Sequence, residues 1–133
     1  MKVILAKSAG FCYGVRRAVE MAQQAAEEGE PCVMLGSIIH NRDVVDHLAR
    51  AGVTAVEKPE DVPEGCRVII RSHGEGRAVY RQLEQRGAKV LDATCPNVSR
   101  IHQIVSQAEE RGRQSVIIGM PDHPEVRAIA GWC

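Results

Sequence analysis

Two cysteines occupy the same kind of junction in this sequence, between a β-like run and a helix-like run. Cys12 lies in AGFCYG (9–14) and Cys95 lies in DATCPN (92–97). The start of a helix carries partial positive charge, which favours the thiolate form that iron–sulfur clusters and soft metals require. We therefore prefer metal or cluster ligands to the alternative interpretation, in which both cysteines are buried apolar thiols.

Three histidines and one glutamate follow apolar runs in a similar way. His40, His73 and His123 each come directly after or shortly after such a run, and Glu125 follows His123 by two residues. Ligands bind outside the carboxyl ends of the strands in open parallel α/β sheets, so these side chains should share one sheet edge with the two cysteines. Together with helix N-termini, the histidines could hold a phosphate or diphosphate. The alternative is that each histidine is a core residue and that Glu125 is an ordinary exposed acid.

The remaining cysteines and histidines fall elsewhere in the pattern. His47 and His102 lie inside predicted helices, where we expect exposed surface histidines. Cys32 and Cys66 open predicted strands at the opposite edge of the sheet, where small buried hydrophobic residues are expected. Cys133, beside Trp132, supports no interpretation.

Hydrophobic periodicity predicts the elements that position these residues. Short apolar runs predict strands over 2–6, 32–39, 53–56, 66–72, 88–93 and 115–119. Helical spacing predicts helices after Gly14, over 41–52, over 74–87 and from Pro96 to 112, whereas 120–133 is expected to be mainly a loop. Strands that alternate with helices indicate parallel pairing through right-handed crossovers. The predicted fold is three-layer α/β/α with a mostly parallel sheet.

Composition narrows the possible functions. Seventeen basic and seventeen acidic residues cancel, and aromatic residues make up 3% of the chain, which argues against nucleic acid and an anionic membrane surface as partners. The sequence shows no targeting segment and no apolar stretch long enough for a membrane span. We expect a cytoplasmic protein whose five cysteines are thiols or metal ligands.

Five motifs in order resemble the IspH/LytB family, the iron–sulfur 4-hydroxy-3-methylbut-2-enyl diphosphate reductases of the non-mevalonate isoprenoid pathway. The motifs are GFCYGV (10–15), HNRDVV (40–45), SHG (72–74), DATCP (92–96) and HPEV (123–126). SHG alone would be a weak signal, but five motifs in order with family-like spacing are highly specific.

The resemblance implies a role for each candidate residue. It implies that two of three thiolate ligands of a [4Fe–4S] cluster are Cys12 and Cys95, that the diphosphate is bound by His40, His73 and His123, and that the proton donor is Glu125. The family removes the allylic hydroxyl of its substrate with electrons from ferredoxin or flavodoxin, and it releases isopentenyl and dimethylallyl diphosphates.

The resemblance also implies a domain organisation. Family members are longer and consist of related α/β domains around a central site. On this basis residues 1–95 form one complete small domain with the cluster and substrate motifs, and 96–133 begin a second, truncated domain. The third cysteine and further Ser, Asn and Thr contacts are expected downstream. Two alternatives stay open, a non-catalytic module that binds a phosphorylated metabolite and a fragment that binds Zn²⁺ or iron through its cysteines.

Overall fold

The computed structural model describes residues 1–39 and 41–133, so the prediction for His40 lies outside the described residues. The elements are α1 (Tyr13–Glu27), β1 (Cys32–Leu35), α2 (Arg42–Arg50), β2 (Thr54–Val56), β3 (Arg67–Ile70), α3 (Arg77–Gln85), β4 (Lys89–Asp92), α4 (Pro96–Glu110) and α5 (Pro124–Ala130), with a 3₁₀ turn at Pro59–Asp61.

The four strands form one parallel sheet in the order β2-β1-β3-β4. Alternate side chains of the strands point to opposite faces, so the two central strands build two apolar layers. Met34 and Ile69 pack with α1 and α2, whereas Val33 and Val68 pack with Leu83 of α3. Helices therefore cover both faces of the sheet, which confirms the predicted α/β/α arrangement.

Local signals place several helix boundaries. The Asn41 side chain caps α2 by accepting a hydrogen bond from the Val44 amide at 3.2 Å. Gly52 follows α2 with a φ of 95°, a backbone conformation that favours glycine. Pro96 is the first residue of α4, as predicted, because its missing N–H has no partner to lose there.

Two predicted strands and one predicted loop are wrong. Residues 2–6 and 115–119 are irregular and pair with no strand in the described part of the chain. Their apolar side chains are largely exposed, including Ile4 at 79% and Ile118 at 97%. A β-prone run becomes a strand only where it pairs with a neighbouring backbone. In the described residues the sheet ends at β2 on one side and at β4 on the other, and neither run pairs with these edge strands. The predicted loop contains α5, which begins at Pro124.

Across residues 1–39 and 41–133, every helix is too short or too polar to span a bilayer.

Candidate functional site

The candidate site lies where the strand order reverses. After β1 the chain continues to β2 on one side of the sheet, and after β3 it continues to β4 on the other side. The loops that follow β1 and β3 therefore diverge at the carboxyl ends of these strands, which is the usual position of a ligand crevice. Ser72 joins these loops, since its hydroxyl donates to the Ile38 carbonyl at 3.4 Å. The Ser72 carbonyl in turn accepts the Cys95 amide at 2.9 Å. The segments after β1, β3 and β4 are thus held together at one edge of the sheet.

His73 and His123 meet at this edge. Their ring centroids are 5.8 Å apart and the rings are nearly perpendicular, at 80°. His123 is the N-cap of α5, and its Nδ1 accepts the Glu125 amide at 3.2 Å. Because Nδ1 accepts this hydrogen bond, Nε2 is the ring nitrogen of His123 whose N–H can act as a donor. The two imidazole rings are suited to binding an anion, whereas the carboxyl group of Glu125, two residues after His123, can exchange a proton beside them.

The two candidate cysteines are both N-caps. Cys12 precedes α1 and is exposed, and Cys95 precedes α4 and is partly buried. No strand delivers Cys12, contrary to the sequence-based reasoning, because residues 2–6 are irregular. The first turn of α1 approaches Cys95 instead. A Cβ added to Gly14 would lie 2.5 Å from the Cys95 Sγ, so only glycine allows this packing between the two cysteine-bearing helix starts.

Side chains further along α1 and at the end of β4 reinforce this packing. The Arg17 guanidinium donates to the Thr94 carbonyl at 3.2 Å and to the Asp92 carbonyl at 3.3 Å. The Asp92 carboxylate accepts the Thr94 amide at 2.9 Å and the Tyr80 hydroxyl at 3.2 Å. Burial raises the pKa of Tyr80 to about 12, so its hydroxyl keeps its proton near neutral pH. The turn before Cys95 is therefore fixed from both sides.

The residues present fit only part of a metal centre. Cysteine sulfur is the soft donor that iron–sulfur clusters use, and the described site contains two such residues, Cys12 and Cys95. Within residues 1–39 and 41–133, however, no three His, Cys, Asp or Glu side chains are grouped so that they could hold a metal ion. The described residues thus offer two cysteine sulfur donors and no complete ligand set.

The prediction that His102 is an exposed surface histidine is wrong, because only 4% of its surface is exposed. It lies under the turn that carries His73, since a Cβ on Gly74 would be 2.6 Å from the His102 Cε1. Burial lowers the pKa of His102, and the charges of Asp92 and Glu125 oppose this shift in part. The position of His102 four residues after the buried Val98 on α4 is the sequence signal that could have identified it.

The predictions for the other histidine and cysteines outside the candidate site are confirmed where the sequence made one. His47 is exposed, and Cys32 and Cys66 are buried in the core. Burial raises the pKa of the Cys32 thiol to about 11, so it stays protonated near neutral pH. Cys133 is exposed, and its thiol lies 3.7 Å from the Ile129 carbonyl.

Comparisons with known proteins agree on one family. The model of the family described as LytB protein matches residues 3–133. The 4-hydroxy-3-methylbut-2-enyl diphosphate reductase of Thermoanaerobacter sp. (strain X514) is 42% identical over 100% of this chain and 48% of that protein. The reductase of the same name from Xylella fastidiosa (strain M12) is 44% identical over 98% of this chain and 42% of its own length.

Two solved structures share the fold. The structure of (E)-4-hydroxy-3-methyl-but-2-enyl diphosphate reductase, the terminal enzyme of the non-mevalonate pathway, has a TM-score of 0.83 and 41% identity over 98% of this chain and 46% of that one. The E-1-hydroxy-2-methyl-but-2-enyl-4-diphosphate reductase of Plasmodium falciparum has a TM-score of 0.90 and 28% identity over 95% of this chain and 40% of that one. The chain spans about half the length of the relatives it matches, and by the match over residues 3–133 it belongs to the LytB protein family.

Proposed function

We propose that this chain acts in the reduction of 4-hydroxy-3-methylbut-2-enyl diphosphate to isopentenyl and dimethylallyl diphosphates, as part of an iron–sulfur reductase. The names of its relatives support this substrate. The observation that carries the proposal is the approach of His73 and His123 to 5.8 Å at the carboxyl edge of the sheet. Two N–H donors at this spacing are suited to the phosphate oxygens of such a substrate.

The histidines bind and orient the substrate in this proposal. His73 and His123 donate hydrogen bonds to the diphosphate, and we assign His40 to the same role from its motif. Holding the charged end of the substrate fixes the position of its hydroxyl, which lowers the entropic cost of reaching the reactive geometry. Glu125, next to His123 in the chain, supplies a proton so that the hydroxyl departs as water.

We assign Cys12 and Cys95 as two ligands of a [4Fe–4S] cluster. Both residues are N-caps, of α1 and α4, and the contact between Gly14 and Cys95 keeps the two helix starts close. When bound, the cluster supplies electrons and a Lewis-acidic iron for the substrate oxygen. The electrons come from ferredoxin or flavodoxin. The protein acts in the cytoplasm, whose reducing conditions suit five free cysteines.

We further propose a domain boundary near Cys95. Residues 1–95 contain all four strands of the sheet and form the first α/β domain. Residues 96–133 begin a second domain in this interpretation.

Inorganic pyrophosphate tests the anion site directly. Isothermal titration of the whole chain should show binding that weakens about tenfold or more in His73→Ala and in His123→Ala, because each variant removes one charge-assisted donor. His47→Ala is the matched control, since His47 is exposed on α2. Equal effects at all three positions would contradict the proposed site.

Anaerobic reconstitution with iron and sulfide tests the cluster. We expect broad absorption at about 400 nm that decreases in Cys12→Ser and in Cys95→Ser. Cys133→Ser is the matched control because its thiol is also exposed. Pyrophosphate binding without any absorption dependent on Cys12 or Cys95 would favour the alternative of a non-catalytic module for phosphorylated metabolites.

A further inference from the structure

The position of α5 is not explained by the segment that leads into it. His123 lies at the start of α5, and the preceding residues 111–119 contain no strand and are mostly exposed. Val116 and Ile118 of that segment have 83% and 97% of their surface exposed, whereas Ile117 between them is partly buried. A mostly exposed segment contributes little to holding His123 in place. Gly119 does approach α5, since an added Cβ would lie 2.9 Å from the Val126 Cγ2, and further contacts that position α5 lie at its other end.

At that other end, α5 packs directly against the start of α3. A Cβ on Gly131 would lie 2.6 Å from the Gly76 Cα, and a Cβ on Gly76 would lie 3.0 Å from the Gly131 Cα. The Arg77 amide also donates to the Gly131 carbonyl at 3.2 Å. Two glycines thus allow two backbones to touch and to form a hydrogen bond.

Trp132 secures this contact with its indole ring. The indole N–H donates to the Glu75 carbonyl at 2.8 Å. The ring stacks on His102 with centroids 5.2 Å apart and planes within 15°, and the Arg77 guanidinium carbon lies 5.3 Å from the ring centroid. The ring of Tyr80 approaches at 6.1 Å in an edge-to-face arrangement. Aromatic and cation–π contacts of this kind stabilise a fixed ring orientation.

The residue that accepts from Trp132 is itself held at the sheet edge. The Glu75 carboxylate pairs with Arg71, which directly follows β3, at 2.5 Å. Both side chains are largely shielded from water, with 22% of the Arg71 side chain and 14% of the Glu75 side chain exposed. Salt therefore screens this pair less than it screens a surface pair. Trp132 is therefore connected through Glu75 to the same turn that carries His73.

We propose that Trp132 is a positioning residue that locks α5 onto the turn at 71–76 and so sets the spacing between His73 and His123. We call this arrangement the Trp132 clamp, formed by Trp132, Gly131, Gly76 and Glu75. The short helix α5 transmits the position of its fixed end to His123. Because a diphosphate engages both rings at once, a shift of one ring relative to the other weakens binding even when each ring is intact. The inference rests on the proposed function.

Binding of inorganic pyrophosphate to the whole chain tests the clamp. Trp132→Leu should weaken binding about tenfold or more. Trp132→Phe keeps an aromatic ring but loses the hydrogen bond to the Glu75 carbonyl, so it should recover only part of the affinity. In the His123→Ala background, Trp132→Leu should cause little further loss, because the ring that it positions is gone. Far-UV circular dichroism and urea midpoints establish that each variant is folded.

A measurement on the unmodified chain keeps the clamp testable if a variant does not fold. Trp132 is the only tryptophan, so its fluorescence reports on the clamp alone. By linkage, a ligand that binds better to the closed clamp must stabilise it, and saturating pyrophosphate should reduce acrylamide quenching of Trp132.

Three results would overturn the clamp. Equal losses from Trp132→Leu in the native and His123→Ala backgrounds would show a merely structural role. Unchanged quenching on saturation would show that the clamp and the anion site are independent. Failure of the unmodified chain to bind pyrophosphate would overturn the proposed function itself, and the clamp with it.

Discussion

The contact between Gly14 and Cys95 reverses the usual effect of replacing a helical glycine with alanine. This substitution normally stabilises a helix, but here we expect it to destabilise the protein. Gly14 is the second residue of α1 and its φ is not positive, so alanine is compatible with the backbone. In an ordinary helix, Gly→Ala raises the free energy of unfolding by about 1 kcal/mol. The new Cβ would lie 2.5 Å from the Cys95 Sγ and 2.9 Å from the Cys95 Cβ. Rotating the thiol relieves only the first overlap, so α1 must also shift away from α4.

The expected size follows from these two opposing effects. Overpacking of a tight contact costs about 1–3 kcal/mol, which outweighs the helix gain of about 1 kcal/mol. We expect Gly14→Ala to lower the free energy of unfolding by about 1 kcal/mol. It should also reduce cluster absorption after reconstitution, because it moves the two cysteine-bearing helix starts apart.

Urea unfolding followed by circular dichroism measures the effect, and a double-mutant cycle assigns it to the contact. In the Cys95→Ala background the nearest overlap is gone, so Gly14→Ala should cost less there than in the native chain. A stabilisation of about 1 kcal/mol by Gly14→Ala in the native chain would refute the close packing of α1 on Cys95.

Three further predictions concern capping, thiol reactivity and pH. Asn41→Ala removes the cap on the Val44 amide and should lower the free energy of unfolding by about 1 kcal/mol, measured by urea midpoint. No shift in the midpoint would contradict this cap. Iodoacetamide at neutral pH should label exposed Cys12 and spare Cys32, whose pKa burial raises to about 11. Equal labelling by mass spectrometry would argue against that burial. Because burial lowers the pKa of His102 from its usual 6.5, the unfolded chain takes up that proton first. Stability should therefore fall as pH drops below 6.5, and His102→Phe should reduce this loss in urea titrations between pH 7 and 5; an unchanged slope would contradict it.

The sheet and most helices could be predicted from the sequence because their local signals agree with their surroundings. β1 and β3 are short apolar runs that lie in the middle of the sheet, where both faces are buried. The Asn41 cap and Pro96 at a first helical position mark helix starts through hydrogen bonds and backbone geometry that operate locally.

The two wrong strands show what local signals lack. Residues 2–6 and 115–119 are short runs that contain Val and Ile, as β3 does. Strand formation also requires a neighbouring backbone, and periodicity carries no information about whether one is available. The sequence analysis predicted mainly a loop over 120–133 and did not predict the short helix α5, although Pro124 is a favoured first helical residue.

The candidate site was likewise predicted only in part. The sequence predicted that His73 follows β3 and that Cys95 starts α4, because each position depends on neighbouring residues. It did not predict the stacking of Trp132 on His102. That contact depends on how α5 packs against α4, and the exposed segment between these helices gives no pattern from which the packing could be inferred.

The strand order has a consequence for how the chain folds during synthesis. β1 is the first strand to be made, yet it lies between β2 and β3, and all four of its residues are buried. Every pairing in the sheet is parallel, so each one requires a crossover connection and no hairpin can nucleate the sheet early. The amphipathic α1 leaves the ribosome before the surface it covers exists. One side of β1 can pair with β2 once Val56 has been made, but its other side has no partner until Ile70 has been synthesised, so the nascent chain exposes apolar backbone and side chains during that interval.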